Sequence, residues 1–253
     1  MNKKIIIANW KMSPDSVKEA KKIFGGIKKV ASKLRNVQTV VCPPFIYLME
    51  LQKMVSGHRC VLGAQDSFWE RKGSFTGEVS PPMINNLKSE YVILGHSERR
   101  ALGETDEIVN KKIKACLKEN LKVVLCIGEK ERDDHGDYLN DIKKQIENSL
   151  LGVSKSSLSK VIIAYEPLWA IGKNSQRPAT PAESMEMSIF IKRVLADIFG
   201  KNHISNINIL YGGSVDLKNA DSFLQEGGID GLLVGRASLD HLKFGKILEK
   251  ANF

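Results

Sequence analysis

The sequence has no apolar run long enough to cross a membrane, and no Gly/Ser-rich linker, low-complexity tract or shift in composition that would divide it. Its four cysteines, Cys42, Cys60, Cys116 and Cys126, stand far apart without a C-x-x-C pair. That spacing argues against a compact disulfide framework and reads as reduced core thiols of a cytoplasmic protein. The five histidines, His58, His96, His135, His203 and His241, share no metal-ligand spacing with Cys or with acidic pairs, so no structural zinc is expected. No G-x-G-x-x-G follows the first apolar run, which removes the usual sign of a dinucleotide fold. The opening MNKKIIIANWK is basic, but its apolar run ends at Ala8, too short for the core of a secretion signal.

Charge is unbalanced but not concentrated. Lys and Arg number 38 against 29 Asp and Glu, a formal +9. An excess of this kind suits an anionic partner. The cations are spread along helical stretches such as VKEAKKIFGGIKKVASKLR (17–35), the pattern of solvated helix faces. No basic-aromatic recognition motif accompanies them, so nucleic acid is not an expected partner.

What the chain does have is repetition of one kind. Eight apolar runs alternate with helix-period segments: KIIIAN, VQTVVC, CVLGAQ, YVILGH, KVVLCIG, VIIAYE, INILYGG and GLLVG. They are apolar throughout rather than alternating, as expected of parallel strands covered on both faces. Helix starts are marked between them. Thr180-Pro181 with Glu183 forms a capping box, and Ser13-Pro14 and Ser80-Pro81 repeat the pattern of Ser before Pro. Eight such units in 253 residues fit a single domain, residues 1–253, folded as an α/β protein of the closed (β/α)8 type. An open doubly wound sheet is the alternative.

In a closed barrel of this kind the chemistry sits where strands end at their C-termini. The first run ends in Asn9-Trp10-Lys11, the fourth in Gly95-His96-Ser97-Glu98, the sixth in Glu166-Pro167, and the last two in YGGS and VGR. A lysine or histidine at a strand end is commonly a solvated charge or a satisfied core residue. A lone carboxylate after VIIAY is harder to explain by packing. Together these residues suit proton abstraction next to a carbonyl. Glu166 is the base, a neutral His96 donates to the carbonyl oxygen, Asn9 donates to the same oxygen, and Lys11 offsets negative charge. The glycine turns after the seventh and eighth runs suit a phosphate held by backbone N–H groups.

At these residues the sequence resembles the triosephosphate isomerase family. The resemblance runs through the chain in order: ANWKM (8–12), LGAQ (62–65), GSFTGEVSP (73–81), LGHSERR (94–100), GE (103–104), CIGE (126–129), AYEPLWAIG (164–172), ATP (179–181), YGGSV (211–215) and LVGRASL (233–239). It implies interconversion of dihydroxyacetone phosphate and glyceraldehyde 3-phosphate through an enediol(ate), without cofactor or metal. Glu166, His96 and Lys11 would be catalytic. Asn9, Lys11, Gly172, Ser214, Gly235 and Arg236 would bind substrate, Glu98 would support the lysine, and Ser97 would contact the resting base. Arg99 would belong to a buried ionic network. AYEPLWAIG would open a lid that excludes water. GSFTGEVSP would be the loop whose tip, at Thr76, enters a second copy of the chain, making a homodimer. Rival readings are another phosphosugar isomerase barrel and a phosphate-binding barrel that has lost catalysis; the presence of Asn9, Lys11, His96 and Glu166 together argues against both.

Two departures from the family pattern stand out. The lid carries six residues between AIG and ATP, KNSQRP (173–178), where four are usual. It is expected to close, because PLW and ATP keep its ends, but with altered opening kinetics; Pro178 biases Gln176 and Arg177 toward extended backbone. After the last strand Arg236 replaces the second of two usual glycines. Its side chain either faces solvent or a neighbouring acid, or adds charge near the phosphate or the lid.

Overall fold

The computed structural model describes residues 3–133, 135–172, 175 and 177–253. Eight strands form a closed barrel in chain order: β1 (Lys4–Asn9), β2 (Val37–Cys42), β3 (Cys60–Ala64), β4 (Tyr91–Leu94), β5 (Lys122–Ile127), β6 (Val161–Tyr165), β7 (Asn208–Tyr211) and β8 (Gly231–Val234). Every neighbouring pair is parallel, and β8 closes on β1 with Ile5 opposite Gly231 and Ala8 opposite Val234.

The eight apolar runs are strands because both of their faces are buried. Ile5 and Ile7 of β1, Val124 and Cys126 of β5, and Ile162 and Ala164 of β6 belong to one cluster that fills the barrel. The alternate residues, Ile6 and Ala8, Val123 and Leu125, and Val161 and Ile163, face the helical layer in a second cluster. All four cysteines are buried in these layers, unpaired, and burial pushes the Cys60 and Cys116 thiols up to about 12.

The helical layer comprises α1 (Val17–Ala31), α2 (Phe45–Gln52), α3 (Pro81–Asn86), α4 (Ser97–Ala101), α5 (Asp106–Lys118), α6 (Asp137–Ser149), α7 (Pro181–Phe199), α8 (Lys201–Ile204), α9 (Ala220–Glu226) and α10 (His241–Lys250). The capping box at α7 is formed in both directions: Thr180 Oγ1 accepts from the Glu183 N–H, and the Glu183 carboxylate accepts from the Thr180 N–H. Ser80 precedes Pro81 at the start of α3. The first helix departs from the expected pattern. It starts at Val17, and Ser16 rather than Ser13 supplies the cap, its hydroxyl accepting from the Glu19 N–H at 3.2 Å. The side-chain acceptor must stand next to the first turn, and Ser13 lies too early.

Between α5 and the loop after β3 lies a set of ions, buried except for Arg99, which is 41% exposed, so the expected buried network extends to the surface at that residue. Lys112, almost fully buried, contacts Asp66 at 2.7 Å and also Glu104, and Arg99 Nε stands 2.8 Å from Asp66. Among the described residues no helix is long and apolar enough to cross a membrane.

Candidate active site

Strand parity delivers the polar residues to the mouth. Side chains alternate along a strand, so the inward series Ile5, Ile7 continues to Asn9 and the inward series Ile162, Ala164 continues to Glu166. Both arrive nearly buried, Asn9 at 5% exposure and Glu166 at 2%. His96 comes by a different route. Gly95 adopts φ +68°, a left-handed conformation that costs glycine little and turns the chain as β4 ends. His96 then becomes the cap of α4, its Nδ1 accepting from the Glu98 N–H at 3.2 Å.

The two candidate acid–base groups meet directly. Glu166 Oε1 is 3.0 Å from His96 Nε2, and Glu166 Oε2 accepts from the Ser97 N–H at 3.0 Å. Because Nδ1 accepts a hydrogen bond, it carries no proton, so the proton of the ring sits on Nε2 and points at Glu166. Burial lowers the His96 pKa, but the Glu166 and Glu98 carboxylates together oppose it and hold the value above that of a free histidine.

Lys11 is held in an unusual backbone conformation, φ +55°. A non-glycine residue there costs on the order of 1–3 kcal/mol. Two hydrogen bonds offset much of this: Asn9 Oδ1 accepts from the Lys11 N–H at 3.0 Å, and Gln65 Nε2 donates to the Lys11 carbonyl at 2.9 Å. With Oδ1 so used, the NH2 of Asn9 is the end left to donate elsewhere. The Lys11 ammonium pairs with Glu98 Oε1 at 2.5 Å.

These groups open onto a cavity of about 780 Å3. Its wall includes Asn9, Lys11, His96, Ser97, Glu98 and Glu166, and also Gly172, Ser214, Gly235 and Arg236. Gly212 stands behind Glu166; a Cβ there would lie 3.1 Å from Glu166 Cγ and crowd the carboxylate. Ser214 Oγ donates to the Ala170 carbonyl at 2.8 Å, tying the loop after β7 to the segment after β6. Arg236 is exposed and forms no ion pair among the described residues, so no neighbouring acid holds it.

Thr76 is the one candidate that the chain's own fold does not bring to the cavity. It lies exposed in the long loop between β3 and α3. Lys173, Asn174 and Gln176, on which the expected change in the lid tip falls, lie outside the described residues. Among the described residues no group of three or more His, Cys, Asp or Glu side chains is arranged to hold a metal ion.

Two polar residues that sequence reasoning left without a role support the site. Gln65 bridges the carbonyls of Lys11 and Cys42, at 2.9 and 2.8 Å. Glu129, only 1% exposed, accepts from Tyr165 Oη at 2.7 Å and from Trp169 Nε1 at 2.8 Å, joining the end of β6 to the segment that follows it. Both stand just after apolar strands, the same signal that singled out Glu166.

A closed parallel barrel whose C-terminal mouth holds a carboxylate against an imidazole, with an ammonium across one small cavity, defines a barrel enzyme of acid–base chemistry. The sequence profile of the triosephosphate isomerase family matches residues 4–251. Proteins named triosephosphate isomerase from Aquifex aeolicus and Alkaliphilus oremlandii are 42% and 43% identical to the chain, covering 97% and 96% of it and 98% of their own lengths. One from Dehalococcoides mccartyi is 42% identical, over 99% of this chain and 98% of its own. The chain belongs to the triosephosphate isomerase family.

Proposed function

We propose that Glu166 is the proton shuttle with which this member of the family interconverts dihydroxyacetone phosphate and D-glyceraldehyde 3-phosphate. The observation that carries the mechanism is the Glu166–His96 contact at 3.0 Å beside the Lys11 ammonium in one cavity. Glu166 removes a proton from C1 of dihydroxyacetone phosphate. The electrons move onto the C2 oxygen, which receives a hydrogen bond from His96 Nε2–H while Lys11 and the Asn9 amide balance the growing charge. Glu166 then returns the proton to C2, and proton exchange between the two oxygens completes the aldehyde.

The apo contact explains how His96 serves as a neutral donor. Its pKa is raised by Glu166, and the carbonyl oxygen of a substrate replaces Glu166 at Nε2. Burial then dominates and favours the uncharged ring. For its part, Glu166 must leave the Ser97 N–H to reach the substrate carbon, and Gly212 leaves room for that swing. The substrate phosphate is assigned to the backbone around Gly172, Ser214 and Gly235, with Arg236 adding charge at the rim. Each step uses groups of this chain.

The same reading includes a homodimer in the cytoplasm. Support comes from the apolar side chains exposed after the first four strands: Met12, Ile46, Met49, Phe75, Met83 and Leu102, with exposures from 43% to 93%. These side chains lie on the loops and helices α2 and α3 that follow the first four strands, with Thr76 beside Phe75 among them, and exposed apolar side chains of this kind support an interface. These large apolar side chains suit a second copy whose own Thr76 loop fills the corresponding surface.

A coupled assay tests the reading. Glyceraldehyde 3-phosphate is supplied, and dihydroxyacetone phosphate is detected by its NADH-dependent reduction. NADH oxidation that requires the protein is the expected result; a folded protein without turnover would overturn it.

A further inference from the structure

A side chain of the lid itself connects its two ends. Arg177 stands just before Pro178, on the C-terminal side of the lid, and its guanidinium carbon is 4.5 Å from the centroid of the Trp169 ring on the N-terminal side. Trp169 is buried and fixed to Glu129. The same guanidinium makes a two-point pair with Glu183, Nη1 to Oε2 at 3.1 Å and Nη2 to Oε1 at 2.5 Å. Glu183 is itself fixed, accepting from the Thr180 N–H at 2.8 Å and from Thr180 Oγ1 at 2.9 Å at the start of α7. Arg132 reaches the same Trp169 ring at 5.4 Å, is held by Glu129 and Glu186, and stands 3.8 Å from Glu183, so it backs the Arg177 contact from the barrel side.

Arg177 is about half exposed, and an ion pair of that kind contributes little to stability. Its geometry is nonetheless specific: a planar fork on a carboxylate with one face on an indole, an arrangement that lysine cannot reproduce. We propose that Arg177 is a positioning residue that couples the two ends of the lid, so that the Trp169 end and the Thr180 end move as one and the reacting enediolate stays enclosed. The proposal rests on the isomerase reading above.

Enclosure has a chemical readout. An enediolate exposed to water can collapse: once proton exchange has put the negative charge on the C1 oxygen, its electron pair becomes the C1=O bond, the C1=C2 pair shifts to C2=C3, and the C3–O bond breaks with its electrons leaving on inorganic phosphate. The remaining enol takes up a proton at C3, loses the proton of its C2 hydroxyl, and becomes methylglyoxal. A lid whose ends move independently raises this loss, whereas a merely structural residue would change the melting temperature instead.

The test compares the wild type with Arg177→Leu and Arg177→Lys for melting temperature, kcat, KM and inorganic phosphate released per isomerisation. Arg177→Leu is expected to melt near the wild type, to lose kcat with little change in KM, and to release severalfold more phosphate per turnover. Arg177→Lys, which keeps the charge at Glu183 but not the stacking, is expected to fall between them. Should Arg177→Leu fail to fold, Arg177→Lys carries the comparison on the same readouts. A wild type without isomerase activity overturns the function and this proposal with it. An active wild type whose folded variants match it in kcat and phosphate release overturns this proposal alone.

Discussion

Glu129 accepts the indole hydrogen of Trp169 at 2.8 Å, so a buried carboxylate on the loop after β5 holds the segment after β6, the proposed lid. The same oxygen also accepts from Tyr165 Oη. Replacing Glu129 by Ala leaves two buried donors without partners, at roughly 1–3 kcal/mol each. Urea unfolding of Glu129→Ala is expected to show a loss of that size, and its kcat is expected to fall because the lid loses its anchor. Unchanged stability would mean that water replaces the carboxylate freely.

Much of this arrangement is legible in the residues alone, and the reason is burial. The eight strands show as unbroken apolar runs because Ile5 and Ile7 pack inside the barrel while Ile6 and Ala8 pack under helices. Glu166 shows because a carboxylate after such a run has no packing explanation. The features that do not show depend on tertiary approach. The Lys11 backbone enters the left-handed region only because Asn9 and Gln65 hold it from both sides, and no local propensity marks that. Glu129 and Gln65 lie in recognisable motifs, but their partners are 40 and 54 residues away. The cap of α1 falls at Ser16 rather than Ser13 because two nearby serines compete for it and only geometry decides.

Acid stability follows from Glu183. The pair with Arg177 and the hydrogen bonds from Thr180 outweigh burial and pull its pKa from 4.5 to about 2. A carboxylate depressed in the folded state stabilises fully above its unfolded value and loses that contribution as pH falls toward its folded value. Wild-type stability is therefore expected to drop more steeply than that of Glu183→Gln between about pH 4.5 and about pH 2, the two converging at the acid end. Urea titrations of both proteins across that window check this, and parallel curves would contradict it.

Arg236, which forms no ion pair among the described residues, carries a positive charge to the rim of the cavity that holds Glu166 and His96. Arg236→Gly is expected to raise KM for glyceraldehyde 3-phosphate severalfold, to leave kcat unchanged, and to weaken the salt dependence of kcat/KM, since uniform binding rather than transition-state stabilisation is lost. Steady-state kinetics at low and high salt measure all three. An unchanged KM with unchanged salt dependence would leave the side chain to solvent.

In the proposed mechanism everything depends on the carboxylate of Glu166 moving the proton. The decisive experiment is kcat of Glu166→Gln beside the wild type, with circular dichroism showing that both are folded. Glutamine keeps the size and can still accept from the Ser97 N–H, but it cannot take a proton. The expected loss is on the order of 10²–10⁴-fold or more. A folded Glu166→Gln protein that retains kcat within about tenfold of the wild type, far short of what a general base supplies, would mean that another group moves the proton.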